Sequence, residues 1–146
     1  MQAIYRFWVT IMTAAVVLQI AFAGFGSFTA ADKAENGAKT VTKSQWEDAF
    51  GPHGALGTLI VISGLVLLLL SFGARGRRRI QMSAAAFVLL VIQLVLGWTG
   101  ASAPYILGAL HPINAFIILG LLGSIARIEW MSARMRQAEP AAAPTS

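Results

Sequence analysis

Four apolar stretches, each long enough to cross a lipid bilayer as an α-helix, dominate this sequence. A bilayer core about 30 Å thick requires roughly 20 apolar residues in a helix. Irregular backbone cannot face lipid, because its polar groups would lack hydrogen-bond partners. The sequence therefore predicts four transmembrane helices, with spans Phe7 to Phe28, Gly54 to Phe72, Met82 to Ala101 and Tyr105 to Ala126.

The composition also indicates a membrane protein. Hydrophobic residues make up 57% of the chain and charged residues 12%, against roughly 45–50% and about 25% in soluble domains. No cysteine is present, which excludes disulfides, thiolate metal sites and catalytic thiols. The net charge of +5 comes largely from arginines beside apolar stretches, where they are typical of membrane topology, so we expect no nucleic-acid partner.

The positive charges predict an orientation, since Lys and Arg accumulate in cytoplasmic loops. Arg6 precedes the first span, Arg75 to Arg79 join the second and third, and Arg127 follows the last. We therefore expect cytoplasmic termini, an external polar loop and a location in the bacterial inner membrane. A cleavable signal peptide is the alternative for the first span, but its run of about 22 apolar residues is longer than such peptides use.

The expected fold class is all-α, an antiparallel up-down four-helix transmembrane bundle over residues 1–130. Residues 131–146 end in an Ala/Pro-rich segment and are predicted to form a disordered cytoplasmic tail. The sequence predicts that the bundle consists of two repeated helical hairpins. LQIAFAG in the first span is similar to IQLVLGW in the third, and HGALGTLI in the second is similar to HPINAFII in the fourth.

This repeat predicts a shared polar layer. A capping box beginning at Ser44 and a helix start at Ser102 would each put a histidine nine residues, or about 13 Å, into its helix. Gln19 and Gln93 lie nine residues before Phe28 and Ser102, the apparent outer ends of their own helices. We therefore expect all four side chains in the outer half of the membrane. Alternatively, Pro52 breaks the second helix and moves the first histidine closer to the surface.

Ionisable groups at membrane depth usually mark a functional site. The alternative is that each histidine only bonds a neighbouring helix, but two at matched depth favour a shared ligand. The second and fourth helices of such a bundle lie diagonally, about 11–14 Å apart, which two imidazoles and a metal can span. Zinc would need three or four ligands, whereas a haem iron needs two from the protein. No Asp or Glu lies inside any span, which also argues against a proton relay.

The candidate cofactor site combines two metal ligands, small residues that clear space for a porphyrin, and amides that could orient an imidazole. Close helix packing and interhelical hydrogen bonds are the alternative explanations for the small residues and the amides. The candidate ligands are His53 and His111, the small residues are Gly57, Gly108 and Ala115, and the amides are Gln19, Gln93 and Asn114.

These motifs resemble one half of the haem A synthase fold, in which each four-helix half places histidines from its second and fourth helices around a haem. The resemblance covers roughly residues 5 to 126. It implies that His53 and His111 are the axial ligands of one haem b. The catalytic half of that family carries a glutamate one turn before its first histidine, where this chain has Phe50 and Gly108. The resemblance therefore implies the haem b-binding half alone, without haem hydroxylation.

The leading functional hypothesis is a membrane b-type cytochrome with one bis-histidine haem. Because both axial positions of the iron are filled, electron transfer is favoured over oxygen chemistry. Such a protein needs a redox partner: a quinone, an external redox protein or other subunits of a membrane complex. The alternative is a cofactor-free accessory or assembly subunit whose small-residue faces dock onto neighbouring helices. Haem handling or sensing is a third hypothesis.

Overall fold

The computed structural model describes residues 1–35, 40–100 and 105–138. Four helices account for almost all of them: α1 (Gln2–Glu35), α2 (Lys43–Ala74), α3 (Arg77–Gly100) and α4 (Tyr105–Ala138). Each helix is long and apolar enough to cross a membrane. The all-α fold class with four spans is confirmed, and these helices mark the chain as an integral membrane protein.

The helices form a square, up-down bundle. Helix α1 packs against α2 and α4, and α3 packs against the same two. Over the described ranges, no close backbone contacts join α1 to α3 or α2 to α4, so these pairs lie on the diagonals. We call the end that holds the α2–α3 turn and residues 2 and 138 the arginine end, after Arg75 to Arg79. The opposite end, toward which His53 and His111 lie, is the histidine end.

All four helices extend beyond the apolar spans. Helix α4 continues to Ala138, so the predicted disorder of residues 131–138 is wrong; residues 139–146 lie outside the described part of the chain. The physical reason is local. This segment is rich in Ala, Arg and Met, which have high helix propensity, and Ala133 is buried against the bundle.

Helix α2 begins two residues earlier than expected from a capping box at Ser44. Its N-cap is Thr42, whose hydroxyl accepts from the Gln45 backbone amide at 3.3 Å, while the Gln45 side-chain oxygen accepts from the Thr42 amide at 2.9 Å. Pro52 lies inside the continuous helix and does not break it. The predicted helix start at Ser102 lies outside the described residues.

The α2–α3 connection is a sharp turn in which Arg75 has φ 55° and Gly76 has φ 122°. Both angles lie in the positive-φ region that favours glycine, and Arg75 adopts it despite its side chain. The Arg79 side chain donates to the carbonyl oxygens of Ala74 at 3.3 Å and Arg75 at 2.7 Å. It thereby satisfies carbonyls that the end of α2 leaves without a helical partner. Arg79 therefore has a structural role that the topology argument did not assign.

The densest packing lies in the half of the bundle near the arginine end. One stripe of each helix is buried there at helical spacing. The buried residues are Tyr5, Val9, Met12 and Val16 of α1; Ile60, Gly64, Leu67 and Ser71 of α2; Ser83, Ala86 and Leu90 of α3; and Ile118, Leu122, Ile125 and Glu129 of α4. Toward the histidine end, polar side chains and a cavity replace this apolar core.

Candidate functional site

The two histidines face each other across the bundle. The rings of His53 on α2 and His111 on α4 have centroids 6.0 Å apart, with 60° between their planes. Both side chains are half-buried. Because α2 and α4 are diagonal helices, the rings meet near the centre of the square, between α1 and α3. The repeat predicted this pairing, and the structure brings the two residues together.

Each imidazole is oriented by a backbone carbonyl of the preceding helix. The Nδ1 atom of His53 lies 3.1 Å from the carbonyl oxygen of Gln19, and Nδ1 of His111 lies 3.2 Å from that of Gln93. A carbonyl oxygen can only accept, so each Nδ1 must carry the hydrogen. In the neutral ring, Nε2 then keeps its lone pair. This is the arrangement in which metal-ligating histidines are commonly held.

The predicted amides lie beside the histidines with different partners. The Gln19 side-chain nitrogen donates to the His53 carbonyl oxygen at 2.7 Å. Asn114 is buried and donates to the Leu89 carbonyl oxygen at 3.0 Å and to Oε1 of Gln93 at 2.8 Å. None of the three side-chain amides bonds an imidazole. Gln19 and Gln93 orient the rings through their backbone carbonyl oxygens instead.

A cavity of about 500 Å³ adjoins the histidine pair, within the range of roughly 300–1,000 Å³ that small-molecule and cofactor sites occupy. Gly57 and Gly108 line it, as predicted from the small residues, together with both glutamines and both histidines. Ala115 and Asn114 do not line this cavity. Ala115 instead borders a separate cavity of about 50 Å³, shared with Gln19 and Gln93.

Two glycines clear the space that the site needs. A Cβ on Gly57 would lie 2.8 Å from the Gln19 amide nitrogen, so any side chain there would disturb the bond between Gln19 and His53. A Cβ on Gly97 would lie 3.2 Å from Cε1 of His111. Gly97 was missed by the sequence reasoning. Its position one turn beyond Gln93, matching Ala23 beyond Gln19 in the first hairpin, is the signal that could have found it.

Aromatic rings extend the site toward the N-terminus of α2. Trp46 stacks on Phe50 with centroids 4.3 Å apart, and Phe50 meets His53 edge-on at 6.2 Å. These rings were also missed. Trp46, Phe50, His53 and Gly57 follow one another at three- and four-residue intervals, which places them on one helix face.

Carboxylates do not join the histidines. Within residues 1–35, 40–100 and 105–138, no group of three or more metal-binding side chains is found. Asp48, the acid closest to His53 in sequence, is exposed, and the neighbouring Glu47 is also exposed and lies 3.6 Å from Lys43. Protein atoms of this part of the chain therefore offer two nitrogen ligands, too few for zinc and sufficient for a metal whose other ligands come from a macrocycle.

A second polar cluster lies at the arginine end. Arg79 contacts both carboxylate oxygens of Glu129, at 2.6 and 3.0 Å, and Glu129 is 4% exposed. The hydroxyls of Tyr5 and Ser83 lie 2.9 Å apart and are fully buried. Glu129 follows the last predicted span, so the sequence reasoning did not recognise it as a buried acid. The cluster joins α1, α3 and α4 far from the histidines.

No protein family, curated protein or solved structure matches this chain. The resemblance to one half of haem A synthase therefore stays a prediction.

Proposed function

We propose that this chain is a small membrane cytochrome b that holds one haem between His53 and His111. The observation that carries the proposal is the 6.0 Å separation of the two imidazole centroids. Two imidazole nitrogens bound to one metal, each about 2.0–2.1 Å from it, put the ring centres roughly 6 Å apart. The rings thus have the spacing of a bis-histidine metal pair.

The surroundings of the pair support a planar group. A macrocycle ligated along the α2–α4 diagonal lies across that diagonal, with edges directed toward α1 and α3. The cavity wall includes the small residues Ala23 of α1 and Gly97 of α3, beside the larger Leu94, Leu96 and Trp98 of α3. Small residues on both helices leave room for the edges of a ring. Gln19 and Gln93 lie one turn deeper and would form a polar floor below it.

Haem b is favoured over covalently attached haem because the chain has no cysteine to form a thioether. With both axial positions filled, the iron would carry single electrons in preference to binding oxygen. Haem hydroxylation is disfavoured, since Phe50 and Gly108 stand where the haem A synthase family carries its glutamate. The partner would be a quinone, an external redox protein or another membrane subunit.

The arginine distribution supports a bacterial inner membrane location with cytoplasmic termini. In that orientation the histidine end lies in the outer half of the bilayer. Residues 2 and 138 and the arginine-rich turn lie at the same end of the bundle, which supports a cytoplasmic position for all three. Reporter fusions at residue 138 and within residues 36–39 test this orientation, with opposite sides expected for the two.

Spectroscopy of the purified chain tests the proposal. Protein expressed with ample haem is expected to show a low-spin haem spectrum, and His53→Ala and His111→Ala are each expected to abolish it. Arg78→Ala is the control, because Arg78 is exposed and lies at the opposite end. Low-spin spectra that persist in both histidine variants would refute the ligand assignment.

A cofactor-free accessory subunit is the second candidate. The contacts between each histidine and a glutamine carbonyl oxygen favour it, since they already tie neighbouring helices together. This function predicts purified wild-type protein without a Soret band, even after haem is added to it in detergent. It also predicts co-purification with other membrane proteins.

A further inference from the structure

The cavity beside the histidines opens on one side of the bundle. The exposed residues in its wall all belong to α2 or α3, and the other wall residues, including all those from α1 and α4, are half-buried. The exposed residues are Trp46, Gly54 and Thr58 of α2 and Gly97 and Trp98 of α3. The mouth of the cavity therefore lies between α2 and α3.

The contacts between helices explain why the mouth lies there. Near the histidine end, α1 is bonded to α2 through Gln19 and His53, and α3 to α4 through Gln93 and its partners His111 and Asn114. Hydrogen bonds between α2 and the first turn of α3 occur at the arginine end, and none joins the two helices near the mouth over the described ranges. Gly64 marks where α2 and α3 pack closely, against Leu90.

Four of the five exposed residues of the mouth lie in apolar stretches of their helices, and the fifth, Trp46, lies in the polar first turn of α2. Gly54 and Thr58 belong to the apolar stretch of α2, and Gly97 and Trp98 to that of α3. In a bilayer, apolar stretches of such helices lie among lipid tails. A ligand that uses the mouth must therefore partition into the bilayer.

We propose that the gap between α2 and α3 is a lateral port, through which a flat, amphipathic macrocycle of the tetrapyrrole class reaches the histidine pair from the lipid. The identity of the ligand rests on the proposed function, whereas the port rests on the geometry of the mouth. Exchange of the ligand with the bilayer then depends on the width of this gap.

Gly54 provides a clean way to narrow the port. A Cβ at Gly54 would meet no atom within 4 Å, so a larger side chain can be added without a clash inside the protein. Gly51 is the matched control: it is also exposed and equally free of neighbours, lies one turn earlier on α2, and does not line the cavity.

The first experiment measures haem uptake by the haem-free full chain in lipid nanodiscs, followed by the Soret absorbance. Gly54→Leu and Gly54→Trp are expected to slow association and release by about tenfold or more, equivalent to roughly 1.4 kcal/mol on the barrier, with an unchanged low-spin spectrum. Gly51→Trp is expected to match the wild type. Wild-type rates in Gly54→Trp, or equal slowing in Gly51→Trp, would overturn the port.

The second experiment tests the port without haem. Because the chain has no cysteine, single variants Gly54→Cys and Thr58→Cys can each carry one spin label. Both labels are expected to collide often with oxygen, which dissolves in lipid, and rarely with a water-soluble nickel chelate. Frequent collisions with nickel at both positions would overturn a lipid-facing port. A wild-type chain that binds no haem would instead overturn the proposed function, and these labels would still decide whether the mouth faces lipid.

Discussion

Gln19 and His53 hold each other through two hydrogen bonds. The imidazole Nδ1 of His53 lies 3.1 Å from the Gln19 carbonyl oxygen, and the Gln19 side-chain nitrogen donates to the His53 carbonyl oxygen at 2.7 Å. His111 repeats only the first bond, with Gln93, whose side chain accepts from Asn114 instead. The two hairpins thus orient their histidines in the same way and fix their glutamines differently.

The hydrogen bond that the Gln19 side chain donates to the His53 carbonyl oxygen is expected to stabilise the bundle without orienting the His53 imidazole. Gln19→Leu removes the donor to the His53 carbonyl oxygen, and we expect it to lower the free energy of unfolding by about 0.6–1.7 kcal/mol. The bond from the His53 imidazole remains, because its acceptor is backbone. Detergent unfolding followed by circular dichroism measures the loss.

The exposed Gln81 on α3 provides the control for this experiment, and Gln81→Leu is expected to leave stability unchanged. A Gln19→Leu protein as stable as the wild type would show that the 2.7 Å contact contributes nothing measurable. A lost haem spectrum in a folded Gln19→Leu protein would contradict the view that the carbonyl oxygen alone orients the ring.

Gly97 is expected to be essential for the position of His111. Since its added Cβ would already lie 3.2 Å from the imidazole, the larger side chain of Gly97→Leu must displace the ring. We expect haem affinity to fall by at least about tenfold, which corresponds to roughly 1.4 kcal/mol. Haem titration of the haem-free protein measures this change.

Gly120→Leu is the matched control, because Gly120 lies on α4 with nothing within 4 Å of an added Cβ. Leucine has a higher helix propensity than glycine by up to about 1 kcal/mol, so this variant should be at least as stable as the wild type and bind haem normally. Equal haem affinity in Gly97→Leu and the wild type would show that His111 is not held against α3.

Features that depend on spacing within one helix could be predicted from the sequence. Apolar length gave the four spans, and equal distances from the span ends put both glutamines beside the histidines. The start of α2 was misplaced because Thr42 and Ser44 are both acceptable N-caps, and only the bond to the Gln45 amide distinguishes them. Pro52 was tolerated because a continuous helix satisfies more backbone groups than a broken one.

Features that depend on how two helices align could not be predicted. Arg79 and Glu129 are 50 positions apart, and their contact requires a particular vertical alignment of α3 against α4. The same holds for Gly97 and His111, whose contact depends on the rotation of both helices. Sequence spacing fixes the face of a helix, whereas the packing of side chains fixes its partner.

Tyr5 and Ser83 form a buried hydroxyl pair at the arginine end. Removing one hydroxyl or the other is expected to lower the free energy of unfolding by different amounts. Ser83→Ala leaves the Tyr5 hydroxyl buried without its partner, whereas after Tyr5→Phe the Ser83 hydroxyl can bond a carbonyl oxygen of its own helix. We therefore expect the larger loss, about 1–3 kcal/mol, for Ser83→Ala. A double-mutant cycle of unfolding free energies measures the coupling.

Ser124→Ala is the control for this cycle, since Ser124 is exposed and bonds the Gly120 carbonyl oxygen of its own helix at 2.7 Å. It is expected to change stability by less than about 0.5 kcal/mol. A Ser83→Ala protein that is no less stable than Tyr5→Phe would mean that the Tyr5 hydroxyl finds another acceptor.

Replacing Arg79 alone is expected to lower the free energy of unfolding more than replacing both members of the Arg79–Glu129 ion pair. The two side chains are 20% and 5% exposed, so Arg79→Met leaves a buried carboxylate without its guanidinium. A loss of about 3 kcal/mol is expected for such a variant. Glu129→Leu should lose less, because Arg79 keeps its bonds to Ala74 and Arg75. The double variant Arg79→Met/Glu129→Leu should regain much of the Arg79→Met loss, because no unpaired charge remains.

Unfolding free energies of all four proteins test this order, and a double variant with the summed losses of both single variants would contradict it. The haem spectrum should be unchanged throughout, because this pair and the histidines lie at opposite ends of the bundle.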